Sequence, residues 1–333
     1  MPSVLLGRLI ASALFTAVLA GNWDIWWHGA VGRNTFFEPP HLFLYSSVGS
    51  AILLGLYGWR SGGEKAWRRL GSLLLIVPAA APFDELWHRI FGVENLSSPI
   101  IIWSPPHLAL DGALLGGFVL LLPILRQEPD VSAKRLFGAI AFASILALLL
   151  FPTLPIQPKG PWELIGPWGA GAIGFIIPLT LLLAQEWLPG PGGSTLTITF
   201  FLLIQGVGYH EGGRVAPGVI LPPHAHPPFW LMIFSLLVPS VAADLMRSGG
   251  ASRLARALAM GIFWAGILYG FSSFFLESEF RYSLGEASAA IFAGIVGAAG
   301  GGAAAGLLGG LDLFSSLPPA SRKNTHRPSI PTI

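Results

Sequence analysis

Residues 106–125 read PHLALDGALLGGFVLLLPIL. Apart from His107 and Asp111 no side chain in this stretch is polar, and about 20 mostly apolar residues are what a helix needs to cross a bilayer core. A surface helix of a soluble protein would show a polar face along its length. This one shows none, so its surroundings are lipid and other helices.

Working outward, comparable stretches recur near 9–28, 41–59, 70–89, 135–152, 168–187, 194–210, 225–246, 255–276 and 286–310. In hydrocarbon every backbone polar group needs an internal partner, which leaves helices or closed barrels. Runs of this length select helices. The expected fold is therefore all-α, a polytopic membrane helix bundle of about ten transmembrane helices. Pro78 and Pro82 are expected to kink the third span. Gly112, Gly116 and Gly117, and likewise Gly294, Gly297, Gly301 and Gly302, form small-residue faces suited to close helix packing.

Composition excludes the other classes. Hydrophobic residues are 53% of the 333 and charged residues 11%, against roughly 25% charged in a soluble domain; mean hydropathy is +0.66. Disorder of the whole chain is excluded by the same apolar excess. A net charge of +2, with no basic run carrying interleaved aromatics, gives no footprint for nucleic acid. With no cysteine there are no disulfides, thiolate metal sites or iron–sulfur clusters, so any metal must use His, carboxylate or backbone donors.

Fourteen of the 19 Lys and Arg residues fall in one set of connections, including Arg60, Lys65, Arg126, Arg253 and Arg256; Arg33, Arg89, Lys159, Arg214 and Arg281 fall in the other. The positive-inside rule then puts both termini in the cytoplasm of a multi-pass cell-membrane protein. Residues 1–311 form the transmembrane domain, and the polar, Pro-rich 312–333 reads as a disordered cytoplasmic tail. Val18-Leu19-Ala20 would also suit a signal-peptide cleavage site, but the single Arg8 and the run Trp23, Trp26, Trp27 favour a retained anchor.

Seven of the eight histidines lie at outer span ends or in outer loops. Asn22–Tyr45 reads NWDIWWHGAVGRNTFFEPPHLFLY, and Pro82–Asp111 reads PFDELWHRIFGVENLSSPIIIWSPPHLALD. Each has Asp, then Trp-His with the His four residues after the Asp, a loop, and Pro-Pro-His-Leu. Gly208–Leu231 reads GYHEGGRVAPGVILPPHAHPPFWL and keeps His and Pro-Pro-His without the Asp. Random placement would give roughly 0.06 Pro-Pro-His triplets in such a chain. Three occur, so hairpin repeats are expected near 9–59, 70–125 and 194–246.

The spacing also predicts geometry. Residues four apart share a helix face, so Asp24 pairs with His28 and Asp84 with His88. Pro39-Pro40 and Pro105-Pro106 suit a helix first turn, and Ser104 suits an N-cap. His41 and His107 then sit where the preceding helix ends. Each of these hairpins gathers one carboxylate and two imidazoles, a donor set for copper, with zinc or iron as alternatives. In the third, His210, His224 and His226 are candidate ligands, with Glu211 as a supporting carboxylate. Asp111, one turn below His107, is a candidate second-layer acceptor for that imidazole. Glu38 and Glu94 read as loop carboxylates, either supporting the histidines as Asp111 does or, the favoured reading, solvated; Glu277, Glu279 and Arg281 read as an ion-pair cluster, and Glu186 and Asp244 as solvated inner-end residues. The same His, Trp and Asp residues would also suit a plain headgroup interface.

The first hairpin resembles the C subunit of the particulate methane and ammonia monooxygenases. Asp24, His28 and His41 have that family's spacing, and Trp27, Arg33-Asn34-Thr35, Phe37, Pro39 and Tyr45 look like its text. The resemblance implies copper at Asp24, His28 and His41 on the outer half of the membrane. A neighbouring site in that family uses Asn, His and His; Asp84, His88 and His107, or His210 and His224, would be its counterpart, though neither set carries the Asn. Ten spans and three hairpins exceed what that subunit has, and no soluble copper-binding domain is present.

The expectation is a membrane metal-binding protein with Asp/His/His sites at the outer face, as a component of a copper monooxygenase-like oxidising system. Its surroundings are the bilayer, with partner membrane subunits or a homo-oligomer in view. Two alternatives remain open: a metal transporter or delivery protein, and a quinone- or haem-binding electron-transfer subunit. A transporter normally places polar groups near the midplane, and haem ligation by two histidines requires no carboxylate.

Overall fold

A computed structural model of the chain describes residues 3–30, 37–62, 65–91, 99–156, 166–214, 229–271 and 283–310. Among these there is no strand. The helices are α1 (Ser3–Ala30), α2 (Pro39–Gly62), α3 (Lys65–Leu74), α4 (Ile76–Phe91), α5 (Pro99–Ile102), α6 (Pro105–Arg126), α7 (Val131–Leu150), α8 (Pro167–Trp187), α9 (Gly193–Arg214), α10 (Phe229–Ser248), α11 (Arg253–Ala265) and α12 (Leu284–Gly310). A 3-10 turn, Phe151–Ile156, continues α7, and a π-helical turn, Gly266–Gly270, continues α11.

Eight of these stretches are long and apolar enough to cross a membrane: Val4–Ile25, Pro39–Ser61, Lys65–Phe91, Pro105–Arg126, Val131–Thr153, Pro167–Trp187, Trp230–Ser248 and Leu284–Gly309. The other two expected spans are also helical, but the apolar part of α9, Gly193–Gly206, is shorter, and α11 has 13 residues before its helix changes pitch. The outward faces are apolar: Leu53, Leu245, Phe292 and Leu307 are each at least 68% exposed. Side chains of this kind on the outside of a helical bundle suit a lipid solvent.

The third span is broken where proline chemistry requires it. α3 ends at Leu74, Leu75 is a turn, and α4 begins at Ile76. Pro78 has no N–H to donate to Leu74, so the break falls one turn ahead of that proline.

Side-chain contacts give the helix directions. Gly58, late in α2, packs on Leu6 and Trp67, which are early in α1 and α3; Gly7 packs on Ile124, late in α6. Arg8 Nε donates to Glu128 Oε2 at 2.7 Å, beyond the end of α6. The start of α1, end of α2, start of α3 and end of α6 therefore share one end of the bundle. Arg135, early in α7, donates to the carbonyls of Pro189 and Pro191, between α8 and α9, so these termini lie there too. This end carries Arg60, Lys65, Arg126, Arg135 and Arg253 and is called the basic end below. Ile10, Leu14, Leu70, Leu74, Phe118 and Leu121 fill the centre between α1, α3 and α6.

Glycines set the closest approach. On α8 and α12, a Cβ at Gly174 would strike Gly294, and one at Gly297 or Gly301 would strike the backbone of Gly171 or Phe175. Gly116 and Gly117 pack on Leu73 and Leu74, whereas Gly112 faces open space. Without apolar burial to drive helix association in lipid, such packing supplies much of the cohesion.

The basic end is closed by a polar network that corrects the expectation of a solvated Asp244, while Glu186 stays partly exposed. Asp244 is buried. It accepts from Ser194 N at 3.2 Å, Thr195 N at 2.8 Å, Thr195 Oγ1 at 2.7 Å and Gln185 Nε2 at 2.8 Å. A side chain of α10 thus satisfies amide groups that the first turn of α9 leaves without helical partners. Arg256 donates to Gln185 Oε1, Arg247 to the Gln185 carbonyl, and Arg253 Nε to Glu186 Oε1 at 2.5 Å. Pairing is strengthened around Asp244, Gln185 and Arg256, which are buried. Glu94, Glu277, Glu279, Arg281 and the tail 312–333 lie outside the described residues.

Candidate metal centre

At the end of the bundle opposite the basic end, α4 and α6 bring three donors together. Asp84 and His88 lie one turn apart on α4, as their spacing requires. α6 starts at Pro105, and Ser104 Oγ accepts from His107 N at 3.2 Å, capping the helix. This puts His107 in the first turn, level with the last turns of α4. Trp87 Nε1 donates to the Ile100 carbonyl and Trp103 Nε1 to the Pro152 carbonyl, each at 2.8 Å. These bonds tie the returning chain to α4 and to the end of α7.

The donor atoms form a near-equilateral triangle. Asp84 Oδ1 is 3.1 Å from His107 Nε2 and 3.4 Å from His88 Nε2, and the two Nε2 atoms are 3.3 Å apart. Ligands bound at about 2.0–2.1 Å around a tetrahedral ion stand roughly 3.3–3.4 Å from one another. The side chains are 7%, 13% and 19% exposed for His88, Asp84 and His107, so the triangle is screened but not sealed. The His107 ring meets Phe151 edge-on at 6.1 Å. Arg89, exposed on α4, donates to Glu85 Oε1 at 2.8 Å.

A second group lies at the same end between α1 and α2. His41 Nε2 is 3.1 Å from Asp24 Oδ1, and ligand atoms of Asp24, Glu38 and His41 all lie within 4.8 Å of one another. α2 begins at Pro39, and the Glu38 carbonyl accepts from Leu42 N at 3.0 Å. Glu38 and His41 are both buried. Of the two readings of Glu38, the favoured solvated loop carboxylate is corrected by its burial beside Asp24 and His41, and the supporting role agrees with it. Its position directly ahead of Pro-Pro-His was the signal: an N-cap side chain can fold back over the first turn, where the histidine sits. Trp23 packs on Trp27 at 6.0 Å and on Phe43 at 5.9 Å, and Tyr45 lies 5.7 Å from the His41 ring.

The remaining candidates are placed less fully. The backbone of His28 lies in the last turn of α1, one turn beyond Asp24, but its side chain is outside the description. The same holds for His210 and Glu211 at the end of α9, while His224 and His226 fall outside the described residues altogether. α9 does run alongside α1 in the same direction: Phe200 meets Phe15, and Asn22 Nδ2 donates to the Ile204 carbonyl at 2.7 Å. Its last turns therefore head towards the end that holds both groups. Asp111 is half-buried one turn deeper in α6 and makes no hydrogen bond or ion pair with a described residue.

The two described groups are what a divalent cation would use, and imidazole with carboxylate accommodates copper, zinc or iron. No protein-family model matches the chain, and neither the curated proteins nor the solved structures include one significantly similar to it.

Proposed function

We propose that this is an integral membrane metalloprotein whose principal centre is Asp84, His88 and His107, with a second centre at Asp24, His28 and His41. Copper is the proposed metal, with zinc or iron behind it. The observation that carries this reading is the triangle of 3.1, 3.3 and 3.4 Å between one carboxylate oxygen and two imidazole nitrogens. Two imidazoles converging on the same carboxylate oxygen form a donor set with one face left for a further ligand.

The bundle in this reading has ten spans, with the basic end cytoplasmic and both centres at the outer face, as the distribution of Lys and Arg supports. The resemblance of Asn22–Tyr45 to the monooxygenase C subunits supports a role in a copper-dependent oxidising system. Copper would supply redox chemistry there, while the chain's own residues orient it and the bilayer holds apolar substrate nearby. Metal transport is the second reading, favoured by Asp111, a half-buried carboxylate leading inward from His107.

Element-resolved mass spectrometry of the detergent-purified chain tests the proposal. The expected result is two equivalents of copper in the wild type and about one fewer in His107→Ala. Protein that stays metal-free after reconstitution with copper, zinc and iron would overturn it.

A further inference from the structure

The corner where α2 gives way to α3 carries an excess of positive charge. One span ends at Ser61 and the next begins at Lys65. Residues 60–69 hold four cations, Arg60, Lys65, Arg68 and Arg69, against one carboxylate, Glu64. All four cations are exposed, and none makes a hydrogen bond or ion pair with a described residue. Glu64 lies outside the described residues; pairing with one cation would still leave three. Elsewhere at the basic end the cations are engaged from within: Arg8 by Glu128, Arg135 by the Pro189 and Pro191 carbonyls, and Arg253 by Glu186.

Packing sets where these charges stand. Trp67, Leu70 and Leu74 bury one face of α3. Lys65, Arg68 and Arg69, spaced i, i+3 and i+4, share the other face. Gly58 packs on Trp67, and Gly55 meets the backbone of Gly71, so the end of α2 with Arg60 lies beside the start of α3. Like charges at this spacing repel and weaken a helix, a cost that an external anion would relieve. The exposed side chains of α2 also grade with depth: Leu53 is 70% exposed, then Tyr57 and Trp59 are 49% and 46% exposed just ahead of Arg60. Exposed Trp and Tyr next to a span end belong at headgroup level.

We propose that this corner is a binding site for an anionic phospholipid. Arg60, Lys65, Arg68 and Arg69 hold its headgroup, and Tyr57 and Trp59 lie against its glycerol and upper acyl region. Charge complementarity and depth select this occupant, because four clustered cations beside a span favour anionic lipid. The inference needs only the bundle in a bilayer and is independent of any metal.

The test uses the full-length chain in detergent, supplied with equal amounts of phosphatidylglycerol and phosphatidylcholine, with retained lipid counted by native mass spectrometry. Wild type is expected to keep phosphatidylglycerol selectively. Arg60→Gln, Arg68→Gln and Arg69→Gln combined should reduce that preference at least about tenfold, while lysine at the same three positions should preserve most of it. Arg89→Gln, at the opposite end, should change nothing. Thermal unfolding in lipid-free detergent checks that the triple variant is folded; if it is not, the three single variants are read instead, each expected to lower the preference severalfold. Equal retention of the two lipids by wild type, or a preference that survives removal of the arginines, overturns the inference. Inorganic phosphate that displaces the lipid better than chloride at equal ionic strength would make a soluble anion the occupant and also overturn it.

Discussion

His88 and His107 reach across from two different helices to hold their Nε2 atoms 3.3 Å apart, over one oxygen of Asp84. Nineteen positions separate them in sequence. The juxtaposition comes from the helix end at Phe91, the Ser104 cap and the two prolines after it. An ion bound at one imidazole would find the other two donors already in place. Replacing His88 with Ala should therefore cost about one metal equivalent, as His107→Ala does, and the double variant should cost no more than either alone. Metal analysis of the three variants checks this; a loss of two equivalents in the double variant would mean that the two histidines serve separate ions.

Packing of α8 on α12 should be sensitive to a single side chain. Gly297→Leu places bulk against the carbonyl of Gly171, and overpacking of this kind costs roughly 1–3 kcal/mol or more. Thermal unfolding in detergent should show a clear loss, whereas Gly112→Leu, which meets open space, should leave the midpoint nearly unchanged. Equal effects at the two positions would refute the close-approach account.

Asp244→Ala should destabilise the basic end. It removes the acceptor for two amides and the Thr195 hydroxyl and leaves Arg256 nearby without that carboxylate. Each buried group left without a partner costs roughly 1–3 kcal/mol. Hydrogen exchange at the first turn of α9 should rise, with no change in metal content. Unaltered protection there would show that Asp244 does not hold that turn.

The bond from Arg8 holds the Glu128 carboxyl below the usual glutamate range. A group depressed in the folded state stabilises at pH above its unfolded value, about 4.3, and that contribution disappears as pH falls through the folded value. The stability gap between wild type and Glu128→Gln should thus be constant near neutrality and close below about pH 4. A gap that widened on acidification would contradict the assignment.

Because the chain has no cysteine, single-cysteine variants report sidedness without background. Lys65→Cys at the basic end should be protected from an impermeant thiol reagent added to intact cells, and Arg89→Cys at the other end should react. The opposite pattern would invert the proposed orientation.

Much of this architecture could be read before any coordinates. The apolar runs located the eight span-length helices among the described residues, because lipid leaves the backbone few alternatives, and Ser104 with Pro105-Pro106 placed His107 at the start of its helix. Asp24 and His41, and Asp84, His88 and His107, came together because helix periodicity and proline position are local rules. Glu38 and Asp244 were misjudged for the opposite reason. A carboxylate at a span end is usually wet, and only the neighbouring helices, α1 for one and α9 for the other, turn these two inward. The kink in the third span was foreseen from its prolines, but its position at Leu75 depends on which carbonyl loses its donor.

The matching turns at Glu38 and Ser104 mean that two hairpins share one backbone plan while presenting different side chains ahead of the return helix. Proline fixes where the return helix begins, and one side chain ahead of it then sets the character of the pocket.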